Sequence, residues 1–328
     1  MVSSSKYPGG LYFSRGEVTP REMFSRRGRG CSRPKQEMRV FLQTLITGIA
    51  IGGIYALMAV GYSLVFSILN FSNFAHGVII MLGAYFGFYM CEWFHAPILV
   101  SMVGAMVGTA VLAVVVEKLA YRPLRLKRAV PLYFMISAMG AAIFLENLVY
   151  VSVGAHFFSY PAFLQQSVQI GQSNLGLLDI GALSLSAVAI TCLTLFLSKA
   201  KLGIAIRAAS RDMTVLGTLG VNIDSLLMVV FSIAGLFAGM AGVFLGIKYL
   251  VYPTMGWITN KAYIAAVIGG IGILPGSVVG GITLGVVESF VSVYLSTALR
   301  DVFSFTFLIV LLLFRPSGLF GKTLDEKV

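Results

Sequence analysis

Residue types that carry out chemistry are scarce in this 328-residue chain. Of the three histidines, His76, His95 and His156, no two stand at a metal-binding spacing. The three cysteines, Cys31, Cys91 and Cys192, are odd in number and match neither a metal site nor a disulfide framework. In an apolar setting they read as small hydrophobes or idle thiols. The stretch nearest to a phosphate-binding loop, Gly272 to Ser277, lacks the lysine that reaches the phosphates. A Walker A loop on this chain is therefore excluded, and an enzyme reading has little to stand on. What remains are polar side chains set in or beside apolar runs: Asn70, Asn73 and His76, then Glu146 and Asn147, then Glu288. Polar groups at membrane depth are costly, so they are satisfied within a bundle or they line a path. For Glu288 both remain open: a neutral or paired carboxylate inside the bundle, or a wall of a translocation path. For His76 the choice is between a helix-end histidine bonded to backbone and a polar group on that path.

The elements that must position these residues are apolar segments. Hydrophobic residues make up 58% of the chain and charged ones 11%, with a mean hydropathy of +0.89. Soluble domains carry about 25% charge. A soluble single-domain enzyme is out, and so is disorder over most of the chain. Continuous apolar runs rather than alternating ones argue against a membrane β-barrel. The spans read as 40–68, 74–93, 97–117, 131–152, 180–198, 225–247, 262–274, 276–297 and 302–314. Several have about 20 residues, the length that crosses a hydrocarbon core. The span 262–274 is short and ends at Pro275-Gly276, which predicts a broken or half-length helix. The fold class is an all-α polytopic membrane protein with about 8–9 transmembrane helices.

Basic residues between the spans give orientation. Lys118, Arg122, Arg125, Lys127 and Arg128 lie in one loop, Lys199, Lys201, Arg207 and Arg211 in another, and Arg315, Lys322 and Lys327 at the C-terminus. All three regions are expected in the cytoplasm, whereas 153–178 has no Lys or Arg and is expected outside. The front of the chain disagrees. Residues 1–39 hold nine basic and three acidic residues, more than half of the net charge of +11, yet three spans separate them from the loop 118–128. Residues 1–37 are expected to be a disordered basic tail or the product of a mis-assigned start, with Met38 as the alternative initiator. Without them the chain is modestly basic, and nothing in it suggests nucleic acid.

The segment 199–224 is unusual for a connection. Ile204 to Leu216 are good helix formers, Arg207 and Arg211 are four residues apart, and Asp224 is placed to cap the next helix. An amphipathic cytoplasmic helix followed by a glycine-punctuated turn is predicted. It either lies on anionic lipid or docks a cytoplasmic partner. Farther on, Gly235/Gly239, Gly242/Gly246, Gly276/Gly280 and Gly281/Gly285 are GxxxG pairs. They suit close helix packing, or faces that slide during transport.

These residues also carry a resemblance. Gly203, Arg207-Ala208, Asp212 and Leu219-Gly220-Val221-Asn222-Ile223-Asp224 are similar to the coupling segment of ABC importer permeases. More specifically the chain resembles the LivH-type permeases of high-affinity branched-chain amino acid importers. The match runs through Tyr55-Ala56-Leu57, Gly61-Tyr62, Asn73-Phe74-Ala75-His76-Gly77 and Lys261-Ala262. It continues through Gly269-Gly270-Ile271-Gly272, Pro275-Gly276, Gly280-Gly281, Gly285, Glu288 and Arg315-Pro316-Ser317-Gly318-Leu319-Phe320-Gly321. It covers 38–328, which would form the permease domain. The resemblance implies a second homologous permease subunit, two cytoplasmic ATPase subunits that hold the ATP and Mg2+, and a periplasmic substrate-binding protein. This chain would then need no cofactor or metal, would catalyse nothing itself, and would sit in the bacterial inner membrane with its C-terminus in the cytoplasm. Gly203, Arg207, Ala208, Arg211, Asp212, Gly220 and Asn222 would shape the ATPase contact. Permeases for urea, short amides or other amino acids share this pattern. An ion-coupled secondary transporter or channel is the alternative of another class, with Glu146 and Glu288 as its candidate acids.

Overall fold

The computed structural model describes residues 33–161, 167–170 and 173–321. The chain divides into a short unit, Met1–Phe41, and a main unit, Leu42–Val328, which is the subject below. Of the N-terminal tail, residues 33–37 begin the first helix and 1–32 lie outside the described residues. Among the described residues eight helices are long and apolar enough to cross a membrane.

In chain order these are α1 (Arg33–Leu69), α2 (Ala75–Trp93), α3 (Ile98–Val116) and α4 (Pro131–Val153). A hairpin of β1 (Ser167–Ile170) and β2 (Ser173–Gly176) follows, with Ser167 opposite Gly176. Then come α5 (Leu177–Lys199), the short α6 (Lys201–Ala209) and α7 (Met213–Thr218), α8 (Ile223–Lys248), the half-length α9 (Asn260–Gly269), α10 (Leu274–Tyr294) and α11 (Arg300–Phe314). The all-α polytopic architecture holds, with the two small strands as its one addition among the described residues.

Three sequence expectations change. The basic stretch 118–128 is not an open loop: α3 runs on through a π-turn, Glu117–Tyr121, and a helical turn, Arg122–Leu126. The break near Pro275 lies earlier. α9 ends at Gly269, the turn is made by Gly270 and Gly272 at φ +104° and +82°, and Pro275 sits in the first turn of α10. Proline is tolerated there because the first amide protons of a helix have no intrahelical acceptor. The stretch 204–216 is two helices rather than one, with Arg211 and Asp212 in the break.

Packing explains which helices stay central. The apolar windows of α1, α8 and α2 are 89%, 72% and 67% buried, against 22% for α4 and α5. Glycine sets the close contacts. Gly235 and Gly239 face α3, Gly276 and Gly280 face α9, and Gly281 and Gly285 face α1. At Gly281 a Cβ would stand 2.6 Å from the Ala56 Cα, and at Gly239 2.8 Å from the Met106 Cα. With no side chain there, backbones approach and dispersion contacts hold helices together where lipid supplies no hydrophobic drive.

Contacts also give direction. α10 runs antiparallel to α1, with Gly281 at Ala56 and Gly285 at Gly52. Arg300 reaches Tyr249, so α10 and α8 end at the same side, opposite the basic stretches. α2 runs with α8 and α3 against it, so α1, α2 and α3 alternate in direction. The C-terminal stretch 315–321 folds onto the end of α9, where Leu319 and Phe320 N–H donate to the Ile268 and Gly269 carbonyls.

Candidate functional site

At the basic end, α6 lies against α5 through Gly203, and Ile206 and Ala209 are buried with it. A Cβ at Gly203 would meet the Leu197 Cα at 2.6 Å, so this glycine sets how tightly the segment folds back. Arg207, Ala208 and Arg211 are exposed, as are the apolar Leu202, Ile204 and Leu219. Asp212 Oδ1 accepts the Val215 amide in the first turn of α7. Gly220, at φ +81°, makes the turn into α8. The cap of α8 is Asn222, whose Oδ1 accepts the Ser225 amide at 3.1 Å. The expected cap, Asp224, does something else. It pairs with Arg122 at 2.9 Å and Arg125 at 2.5 Å, and Arg125 also pairs with the buried Glu117 at 2.8 Å. α8 begins at Ile223, so Asp224 stands inside the first turn rather than at the cap, and two guanidinium groups lie beside it.

Toward the centre, Asn73, His76 and Glu146 line one cavity of about 450 Å3. Asn73 Oδ1 accepts the Ala75 amide at 3.1 Å and the Tyr121 hydroxyl at 2.7 Å, tying the start of α2 to the π-turn of α3. His76 Nε2 donates to the Met58 carbonyl, and its ring lies edge-on to Tyr62. Gly61 leaves room for it, since a Cβ there would be 3.1 Å from His76 Cε1. Two candidates fall off this cavity. Asn70 is an exposed residue at φ +52° that closes α1, a conformation asparagine tolerates. Asn147 is exposed and bonds its own helix at the Ile143 carbonyl.

Glu288 belongs to a separate buried group. Its oxygens accept Tyr55 Oη at 2.7 Å, Ser304 Oγ at 2.7 Å and Lys261 Nζ at 2.9 and 3.0 Å. Every lone-pair direction of a buried carboxylate needs such a partner, and here four bonds meet it. Lys261, Tyr55, Ser304, Tyr121 and Glu117 are not among the sites the sequence alone proposes. For Lys261 the available signal is a single cation at the edge of an otherwise apolar span.

The stretches that carry the sequence resemblance, although far apart in the chain, therefore meet: Tyr55 at Lys261 and Glu288, Gly61 at His76, and Gly270 at Gly318. The family described as the permease component of the branched-chain amino acid transport system matches residues 44–312. The chain belongs to this family. It is 36% identical over 308 residues to the high-affinity branched-chain amino acid transport system permease protein BraD of Pseudomonas aeruginosa, covering 89% of this chain and 99% of that one. To LivH of Escherichia coli K12 it is 34% identical over 310 residues, with the same coverage. To a probable LivH of Methanocaldococcus jannaschii it is 27% identical, over 83% of this chain and 90% of the relative. A solved structure, PsaBC from Streptococcus pneumoniae in complex with Fab, aligns with a TM-score of 0.48 at 12% identity, over 84% of this chain and 91% of that one. This permease is thus a transporter subunit in which three polar regions are spread along the bundle.

Proposed function

We propose that this permease forms the membrane path of an importer for branched-chain amino acids. It would act with a second homologous permease subunit, two cytoplasmic ATPase subunits that hold ATP and Mg2+, and a periplasmic binding protein that delivers the substrate. The observation that carries the reading is the helix pair α6–α7 in a chain of this family. One face buries Gly203, Ile206 and Ala209, with Gly203 against α5, and the other presents Arg207 and Ala208 with Leu202, Ile204 and Leu219 exposed beside them. An exposed face that mixes cations with large apolar residues suits a protein partner. The excess of Lys and Arg at this end favours the cytoplasm of an inner membrane, with the C-terminus on the same side.

Asn73, His76 and Glu146 are proposed as polar groups on the path. The names of the relatives favour branched-chain amino acids over urea, short amides or other amino acids, and a subunit of a multi-component system over an ion-coupled carrier. Reconstitution of the permease pair with its ATPases and binding protein tests this. ATP-dependent leucine uptake is expected, and Arg207→Glu should lower both ATPase binding and uptake about tenfold or more, the scale of a lost charged contact. Uptake by this chain alone on an ion gradient, or an Arg207→Glu complex that assembles and transports normally, would overturn the reading.

A further inference from the structure

We propose that a second cavity, at the Tyr249 end of α8, binds the zwitterionic head of an α-amino acid, with Arg300 taking the carboxylate and Asp301 the ammonium group. The inference rests on the amino acid import proposed above. The cavity holds about 380 Å3 and is lined by Tyr249, Trp257, Lys261, Arg300 and Asp301 among others. That volume is in the lower range for small-molecule sites.

Its charges are the first argument. Lys261 and Arg300 are cationic, Asp301 and the Glu288 behind Lys261 are anionic, and the four sum to zero. Lys261 is matched closely by Glu288, at 2.9 and 3.0 Å. Arg300 is not matched. Its Nε donates to Ser292 Oγ at 2.9 Å and its Nη1 to Tyr249 Oη at 3.1 Å. Both partners are neutral hydroxyls, and among the described residues no carboxylate pairs with it. A guanidinium has five donors in a planar fork that fits a carboxylate. Asp301 is 70% exposed and touches Lys261 at 3.0 Å with one oxygen, Oδ1. One cation and one anion, neighbours in the chain, thus have capacity to spare on the wall of one neutral cavity. A lone anion or cation bound there would unbalance the cavity, whereas a zwitterion leaves it neutral.

The apolar wall is the second argument. Ile264 and Phe305 line this cavity with Trp257 and Asn260, and the same four residues line the cavity of Asn73, His76 and Glu146. A branched aliphatic side chain has apolar surface to meet. An amino acid held here is one layer of side chains from the inner cavity, on a helix, α9, that is half-length and ends at a glycine turn.

The test uses the whole reconstituted complex and photo-leucine, the diazirine analogue of leucine, mapped by mass spectrometry. Labelling of residues 249–264 and 297–305 that excess leucine competes away is expected. Asp301→Asn, at an exposed position and with Glu288 still pairing Lys261, should reduce that label and leucine uptake about tenfold, the scale of one charge-assisted hydrogen bond. Arg300→Gln should do the same, and Arg300→Lys should keep part of both. A complex that transports leucine with no label in these stretches overturns the site. So does transport at the wild-type rate by both Asp301→Asn and Arg300→Gln, or an Arg300→Gln variant that is less stable yet labelled as before. A wild-type complex that carries no leucine overturns the importer reading first, and this site with it.

Discussion

At the basic end Arg122, Arg125, Glu117 and Asp224 form a chain of ion pairs in which both cations face carboxylates. At the other end Lys261, Arg300, Glu288 and Asp301 hold the same number of charges in a different arrangement. There one cation is bonded on several sides, and the other rests on two hydroxyls at the edge of a cavity. Each cluster has one buried acid, with side-chain accessibility of 1% for Glu117 and 2% for Glu288. The difference lies in what the second acid does. Asp224 bridges two arginines and so joins the extended α3 to the start of α8, directly after α6 and α7. Asp301 touches one lysine and otherwise faces solvent. Equal charge counts can therefore build a clamp or leave one cation without a carboxylate, and the geometry of the partners separates the two. The clamp leads inward: the π-turn that holds Glu117 also carries Tyr121, which bonds Asn73 beside the central cavity.

Substitutions sharpen this contrast. The largest effect is expected from Glu288→Ala, which leaves Lys261 buried with only the exposed Asp301 for a partner. A loss of about 3–5 kcal/mol, the usual consequence of breaking a buried pair, should appear as a lower thermal unfolding midpoint of the purified permease in detergent. Replacing both members, Glu288→Met with Lys261→Met, should recover most of it, because no uncompensated charge remains. A double variant as unstable as the single one would contradict the pairing. Asp224→Asn comes next. Arg125 keeps Glu117, so a loss of about 1 kcal/mol is expected. Uptake should fall further than that loss of stability accounts for, with ATPase binding retained, since the link from α6–α7 to α3 is cut. Equal declines in uptake and folded yield would reduce the clamp to a structural tie. The smallest effect belongs to Arg122→Gln. Its side chain is 47% exposed, and such pairs contribute about 0–1 kcal/mol, less in high salt. A change above that range would mean that Arg122, not Arg125, carries the clamp.

Much of the bundle can be read along the chain. The run 180–198 predicts α5 at Leu177–Lys199, and 225–247 predicts α8 at Ile223–Lys248, because a bilayer sets helix length and strips polar residues from the span. Errors arise where two local signals compete. Pro275 marks a boundary, yet Gly270 and Gly272 make the turn, since only they adopt positive φ without strain. Asp224 and Asn222 both have cap chemistry; α8 begins at Ile223, so Asn222 caps it, and Asp224 in its first turn pairs with two arginines on the extension of α3. Those arginines are about a hundred positions upstream, beyond any local pattern.

The sequence by itself determined the class of protein, the positions of the long helices, the glycine faces and the motifs that lead to the permease family. These depend on local composition and on spacing along one helix. Only the tertiary structure decided which polar residues act together. Tyr55 reaches Glu288 across 233 positions, and Tyr121 reaches Asn73 across 48. Asn70 and Asn147, close neighbours of Asn73 and Glu146 in the chain, turn away from the cavity those residues line. The physical reason is that a buried charge must find its partner in space. The glycine-permitted approach of α1, α9 and α10 sets which partners are within reach.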